Sequence, residues 1–276
     1  MKAAVIGSPV SHSLSPVLHS AAYRDVGVEV DYRAIEVKTE ELSDFLASLD
    51  ESWVGLSVTM PNKQAIIADL DVVDSLARTV GAVNTVCFQP PSRMLVGFNT
   101  DVEGIVTAVR EASPNLAFPS AIILGSRATA SSAIAASVQL GAPAITLAAR
   151  NHGGPGSALS AATRMNLSPT LAKLTDDWIG SLPHTGLLIS TLPGRVADEY
   201  ASRIDSSNLD LAHLTLLDVN YRPYPSALTR AVAARGGTCV PGWTMLLHQG
   251  LAQVRLFTGR TPNPEVVREQ LREAIR

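Results

Sequence analysis

The chain has 276 residues, 46% apolar and 17% charged, which suits one large domain or two of ordinary size with a sizeable buried core. Its net charge of -3 comes without any lysine- or arginine-rich run, which argues against a nucleic acid or an anionic membrane as partner. Cys87 and Cys239 stand far apart without metal-ligand spacing, which argues against a disulfide framework or a resident metal and suits a reducing cytoplasm. No apolar run approaches the roughly 18 to 20 residues of a membrane span. The opening Met1-Lys2-Ala3-Ala4-Val5-Ile6-Gly7 is too brief for a signal peptide, so a cytoplasmic protein is expected.

In chain order, residues 3–6 read as a short buried strand, and Ser15-Pro16 opens a helix with a serine cap and proline at its first position. Residues 32–37 form a second strand, and 40–49 a helix with Leu42, Phe45, Leu46 and Leu49 on one face. A third strand covers 53–59, and 85–88 with 94–98 flank a Pro-Pro-Ser turn as a hairpin. Strands separated by helices predict a largely parallel α/β sheet. A second unit begins near Val102 with a helix over 102–111 and a loop over 115–119. It continues with a strand over 121–124, Gly125, an Ala/Ser-rich helix ending near Gly141, and a strand over 144–149. Apolar runs at 187–190, 214–219 and 238–240 complete the rhythm of a doubly wound nucleotide-binding domain. A helix over 244–258 stops at Gly259, and Asn263-Pro264 starts the last one. The expected architecture is a two-domain α/β chain. Residues 1–103 and 240–276 form a discontinuous domain, and a Rossmann-type domain, 104–239, is inserted between them.

A strand, a tight glycine turn and a helix N-terminus make a phosphate site, because unpaired N–H groups and the helix dipole both favour an anion. Here the turn reads Leu124-Gly125-Ser126-Arg127-Ala128-Thr129-Ala130, with only the first glycine of a G-x-G-x-x-G pattern. An ordinary strand-to-helix turn explains it about as well. Arg150 closes the next strand, where an arginine accommodates the 2′-phosphate of NADP and an acid would indicate NAD. Its bland reading is a solvated surface arginine. Arg127 either adds a cation near the phosphates or points to water.

Four short segments are unusually polar at or just after predicted strands. They are Ser11-His12-Ser13-Leu14-Ser15-Pro16, Ser57-Val58-Thr59-Met60-Pro61-Asn62-Lys63, Gly81-Ala82-Val83-Asn84-Thr85 and Gly97-Phe98-Asn99-Thr100-Asp101. Hydroxyls, amides, one ammonium and one carboxylate suit a small polyol acid gathered at the carboxyl ends of strands. Taken singly, Ser15, Thr100 or Asp101 could be only a helix cap, Lys63 a surface lysine, and His12 a structural group. Recurrence at four comparable places favours a site.

Gly7-Ser8-Pro9 with His12-Ser13-Leu14-Ser15-Pro16, then residues 57–63 and 81–85, Asn99-Thr100-Asp101-Val102-Glu103-Gly104, and the stretch from Gly242 through Met245 to Gln249 are similar to segments of shikimate dehydrogenases, a resemblance over essentially the whole chain. The resemblance implies a substrate domain joined to an NADP domain, and reversible hydride transfer to 3-dehydroshikimate in aromatic amino-acid biosynthesis. It implies that Ser13 and Ser15 bind the substrate carboxylate, that Thr59, Asn84, Asp101 and Gln249 hold ring hydroxyls, and that Tyr221 lines the same pocket. Lys63 and Asp101 become the catalytic pair. On the cofactor side it implies Gly125, Ser126, Arg127, Ala128 and Thr129 at the pyrophosphate, Arg150 at the 2′-phosphate, and Thr191 and Gly242. The expected assembly is a monomer or homodimer.

Three positions depart from the family pattern: Ser57 stands where many members have asparagine, Arg127-Ala128 replaces a glycine pair, and Ala149-Arg150-Asn151 keeps only the arginine of Asn-Arg-Thr. Two alternatives stay open. One is an NAD-dependent quinate/shikimate dehydrogenase, which Arg150 argues against. The other is a silent paralogue that binds a shikimate-like acid, which retention of both Lys63 and Asp101 argues against.

Overall fold

The structure, a computed structural model, describes residues 1–275. It divides into two compact units: the first gathers residues 1–101 and 246–274, the second residues 102–245.

In the first unit the chain runs β1 (Lys2–Gly7), α1 (Ser15–Asp25), β2 (Asp31–Glu36), α2 (Leu42–Ala47), β3 (Trp53–Val58), α3 (Asn62–Ala65), β4 (Val72–Val73), α4 (Ser75–Val80), β5 (Thr85–Gln89) and β6 (Met94–Phe98). The sheet order is β2-β1-β3-β5-β6-β4. The largely parallel sheet expected for this half is instead mixed: β1 runs parallel to β2 and β3, whereas β5 runs antiparallel to β3 and β6. A tight turn can join only antiparallel strands, so the 85–98 hairpin already required one reversed pair. Ile6, Leu56, Ile66, Val83 and Val86 are fully buried between sheet and helices.

Two local expectations are corrected. Ser15 is the first residue of α1 rather than its cap, Leu14 precedes it, and Pro16 stands second. The capping task passes to Ser13, whose Oγ accepts the Ser15 N–H at 3.2 Å. The helix expected over 40–49 starts as a 3-10 turn, Thr39–Glu41, because the Glu41 carboxylate accepts the Lys38 N–H and tightens the chain.

The second unit carries α5 (Asp101–Ala112), β7 (Ser120–Leu124), α6 (Ala128–Gln139), β8 (Ala144–Ala149), α7 (Ala158–Arg164), β9 (Thr170–Lys173), β10 (Leu187–Ser190), α8 (Asp198–Asp205), β11 (Thr215–Asp218), α9 (Ala227–Ala234) and β12 (Thr238–Pro241). Every strand pair is parallel, in the order β12-β11-β10-β7-β8-β9. The chain winds outward from β7 in one direction and from β10 in the other, the doubly wound plan with its switch point between those strands. Helix α6 is buried although rich in serine. Ser131, Ser132 and Ser137 return their hydroxyls to the carbonyls four residues back, so nothing polar is left unpaired there.

Helix α10 (Gly242–Thr258) starts two residues before the expected 244, and α11 (Pro264–Ile275) opens as expected, with Asn263 accepting the Glu265 N–H at 3.0 Å. In the first unit α10 lies tight on the sheet: a Cβ built on Gly55 of β3 would come no farther than 2.7 Å from three carbons of the Phe257 ring. Gly55→Ala is therefore expected to destabilise the protein by ~1–3 kcal/mol through overpacking. Urea unfolding should register the loss, and Phe257→Leu in the same chain should recover part of it.

Candidate active site

In the first unit the ends of β3, β5 and β6 deliver their polar residues to one place. Short helix α3 follows β3 and carries Lys63, and Val83 donates its backbone N–H to the Lys63 carbonyl at 2.7 Å. Asp101 follows β6, at the start of α5. The Lys63 ammonium meets the Asp101 carboxylate at 2.6 Å, with side-chain exposures of only 13% and 4%. Such a pair cannot be a casual surface contact, since desolvation leaves each charge dependent on the other.

Asn84 supports that pair from behind. The backbone N–H of Thr100, which can only donate, lies 2.7 Å from Asn84 Oδ1 and fixes the direction of the amide. Asn84 Nδ2 therefore faces the acceptors: Asp101 Oδ1 at 2.9 Å, Thr100 Oγ1 at 2.9 Å and Gln249 Oε1 at 3.2 Å. Gln249 is anchored in turn by donating to the Leu246 carbonyl at 3.0 Å. Lys63, Asp101, Asn84 and Gln249 are thus collected in one cluster. Ser13 and Ser15 are joined to each other, hydroxyl to hydroxyl, at 3.2 Å. Thr59 follows β3 directly beside β1: a Cβ on Gly7 would collide with the Thr59 methyl and the Met60 carbonyl. Glycine at position 7 thereby sets the course of the loop toward Lys63.

Sequence reasoning missed the polar layer beneath the cluster. Gln253, one helical turn beyond Gln249, donates to the Asn84 carbonyl at 2.9 Å and to Thr85 Oγ1 at 3.0 Å. Its own Oε1 accepts Ser57 Oγ at 2.8 Å, and Tyr32 donates its hydroxyl to Ser57 at 2.6 Å. His19 Nε2 is 3.1 Å from the same Oε1, and Nδ1 is 3.1 Å from the Tyr23 hydroxyl. Since the Asn84 carbonyl obliges Gln253 Nε2 to donate, Oε1 must accept, and His19 carries its proton on Nε2. The signal was available: a glutamine four residues after Gln249 lies on the same helix face, and His19 interrupts the apolar face of α1.

The second unit holds the remaining candidates. Gly125 follows β7 with φ +117, and a Cβ there would collide with the Thr191 hydroxyl, which itself donates to the Leu124 carbonyl at 2.8 Å. Gly125 and Thr191 are thus neighbours across the ends of β7 and β10, and Ser126, Ala128 and Thr129 lie half-buried around the start of α6. Arg127 occupies the position before α6 in an extended conformation, and no side chain caps the helix, whereas Asp74, Ser157 and Ser226 cap α4, α7 and α9. Its first N–H groups therefore have no side-chain acceptor there. The Arg127 and Arg150 side chains are exposed. Gly242 has a packing reason of its own: a Cβ would strike the Asp218 carbonyl and come within 2.7 Å of Val219. Tyr221 stands half-buried in the turn after β11, next to Asn220, which donates to the buried Asp218 carboxylate at 3.0 Å. Burial raises the Asp218 carboxyl above the usual range, with hydrogen bonds from Ser226 and Asn220 opposing it. Among the described residues no cluster of three or more His, Cys, Asp or Glu could hold a metal. Among them, too, no helix is long and apolar enough to cross a membrane.

Such a site, a buried amine–carboxylate pair with amide and hydroxyl neighbours on a chain that also carries a doubly wound unit, defines the class of nucleotide-dependent oxidoreductases. Residues 5–86 match the model of the shikimate dehydrogenase substrate binding domain, and 242–272 that of the shikimate 5'-dehydrogenase C-terminal domain. A shikimate dehydrogenase (NADP(+)) of Synechocystis is 32% identical over 97% of this chain and 93% of its own. The shikimate dehydrogenase structure of Mycobacterium tuberculosis is 35% identical, with a TM-score of 0.86 over 99% of both chains. That of Thermus thermophilus, in complex with NADP(H) and shikimate, is 31% identical with a TM-score of 0.82 over 99% of both. The chain belongs to the shikimate dehydrogenase family.

His19 gives the site a measurable pH signature. Burial holds its imidazole down to about 3 from the ordinary 6.5, against the opposing hydrogen bond of Gln253. The unfolded chain takes up a proton below about 6.5 that the folded chain refuses, so stability is present above that value and falls with the pH. This single group makes stability fall as the pH is lowered from about 6.5 to about 3. Urea unfolding near pH 7 and near pH 5 should show a shallower pH slope in His19→Gln than in the native chain. Equal slopes would mean that His19 titrates alike in both states.

Proposed function

We propose that this protein is an NADP-dependent shikimate dehydrogenase, reversibly reducing the 3-keto group of 3-dehydroshikimate, and that it works in the cytoplasm as a monomer or homodimer. The observation that carries the reading is the 2.6 Å pair of Lys63 and Asp101, buried and braced by Asn84 and Gln249. The first unit takes the polyol acid and the second the dinucleotide.

The donor set of the second unit suits NADP. The uncapped start of α6 and the Gly125 turn meet an anionic pyrophosphate through backbone N–H groups, and Arg127 and Arg150 supply cations, Arg150 at the end of β8 where a 2′-phosphate is held. Thr191 and Gly242 complete this side. When bound, the nicotinamide donates or accepts the hydride.

The protein's own share is positional and electrostatic. Reduction of a ketone develops negative charge on its oxygen. Lys63 has three N–H donors, of which the Asp101 bond occupies one, so it can hold that oxygen and pass it a proton. Asp101 keeps Lys63 in place and accepts from the neighbouring ring hydroxyl. Asn84, Gln249 and Thr59 orient the ring, and Ser13 and Ser15 present hydroxyls to the carboxylate. A fixed cation at a developing alkoxide costs no reorganisation during the reaction.

Lys63→Ala is expected to lower kcat by ~10²- to 10⁴-fold, the range of a positioned acid–base group, while shikimate binding measured by calorimetry stays within roughly tenfold. Near-normal turnover in that variant would remove Lys63 from the chemistry. Arg150→Ala should raise KM for NADP far more than KM for NAD, because only NADP carries the phosphate it meets. Steady-state assays crossing shikimate and quinate with both cofactors check this, and an equal change for NADP and NAD would count against Arg150.

A further inference from the structure

The layer under the catalytic cluster is a continuous hydrogen-bonded chain. From the α1 side it runs Tyr23 hydroxyl to His19 Nδ1 at 3.1 Å, then His19 Nε2 to Gln253 Oε1 at 3.1 Å. From the β2 side it runs Tyr32 to Ser57 at 2.6 Å and Ser57 to Gln253 Oε1 at 2.8 Å. Both arms end on one amide. Gln253 then donates to the Asn84 carbonyl and to Thr85 Oγ1, and Thr85 donates to Asn84 Oδ1 at 2.8 Å. Asn84 hands the constraint to Asp101 Oδ1, and Asp101 Oδ2 holds Lys63. Gln253 is 1% exposed and reaches neither Lys63 nor Asp101 itself.

We propose that Gln253 is a positioning residue for the reaction: its amide, fixed by Ser57 and His19, sets the backbone and side chain of Asn84 and through them the Lys63–Asp101 pair. The directions of donation leave no slack. Asn84 is held from one side by the Thr100 N–H on its Oδ1, and from the other by Gln253 on its carbonyl oxygen. That carbonyl also accepts the Val58 N–H at 2.7 Å, so Gln253 adds a side-chain donor where β3 and β5 already meet. An apolar side chain of the same length would fill the space but leave Ser57, His19 and Thr85 without their shared partner. The cluster above would then have a softer floor, and misplacement of a reacting group by about 1 Å can cost on the order of 10²-fold in rate. This role rests on Lys63 and Asp101 carrying the chemistry.

The test compares Gln253→Met, Gln253→Glu and Lys63→Ala as complete chains, assayed for shikimate oxidation with NADP. Gln253→Met should lower kcat by ~10- to 100-fold and leave KM for NADP within twofold, with the melting transition still cooperative. Gln253→Glu can accept from Ser57 and His19 at any pH, but can donate to the Asn84 carbonyl only when protonated. Its kcat relative to the native enzyme should therefore rise as pH is lowered from about 9 to about 6, a rescue that a purely structural role would not produce. A folded Gln253→Met with kcat within twofold of native overturns the proposal. Should that variant fail to fold, a pH-independent ratio for Gln253→Glu overturns it equally. Retained turnover in Lys63→Ala overturns the catalytic reading beneath it. Loss in Lys63→Ala with none in the Gln253 variants overturns only the positioning role.

Discussion

The 2.7 Å hydrogen bond from the Thr100 N–H to Asn84 Oδ1 decides which way the central amide of the site points. A backbone N–H cannot accept, so the assignment of the whole cluster follows from it: Asn84 Nδ2 must donate, Asp101 and Gln249 must accept, and the second Asp101 oxygen is left to Lys63. Because β5 and β6 form an antiparallel pair, with Thr85 opposite Phe98, Asn84 and Thr100 emerge side by side at one end of the sheet. A parallel arrangement of these two strands would have sent them to opposite ends. The reversal of β5 within the first sheet is thus what brings an amide from one strand over the carboxylate that follows the next.

Burial gives that geometry its force. Taking Asp101 and Lys63 out of water is costly, and each retains its place only because the other and Asn84 satisfy it. Polar groups so arranged act as a unit, since a half-satisfied buried network is worse than an apolar one. Gln253 and His19 extend the same logic downward, and stacking of His19 on Tyr32, with ring centroids 3.9 Å apart, packs the arms of the network against each other.

Much of this was legible in the sequence and some was not, for physical reasons. The central strands of the second unit, β7, β10 and β11, are buried almost throughout, and its Ala/Ser-rich helix is small and uniform, so their alternation stood out, whereas the exposed edge strand β9 did not. In the first unit strands separated by helices suggested a largely parallel sheet with one hairpin, but that β5 also runs against β3 is set by the connection between them, which local pattern does not encode. Ser15 carried a cap signature, yet Ser13 performs the task, because either of two serines two residues apart satisfies the same composition. The residues gathered around Lys63 were readable as isolated polar positions at strand ends. Gln253 and His19 left only a local trace, a polar residue on a helix face, whose meaning depends on a partner 234 residues away.

The shortened glycine pattern of the second unit is the remaining test of consistency between levels. Gly125 is the one position there whose backbone, at φ +117 and against the Thr191 side chain, no other residue would adopt without strain. Ala128 already belongs to α6, where alanine is the best helix former, so replacing glycine there stabilises the helix and leaves its N–H in place. Arg127 adopts an extended conformation open to any residue, and its side chain lies in solvent. The turn has therefore lost glycines only where the backbone did not need them, and it has added a cation in the same step. Backbone N–H groups and positive charge draw a pyrophosphate to such a turn, while a glycine at the second position also lets the backbone come close without a Cβ in the way. The turn therefore keeps its glycine conformation at Gly125 and its uncapped helix start, and exchanges the open space of a second glycine for the charge of Arg127.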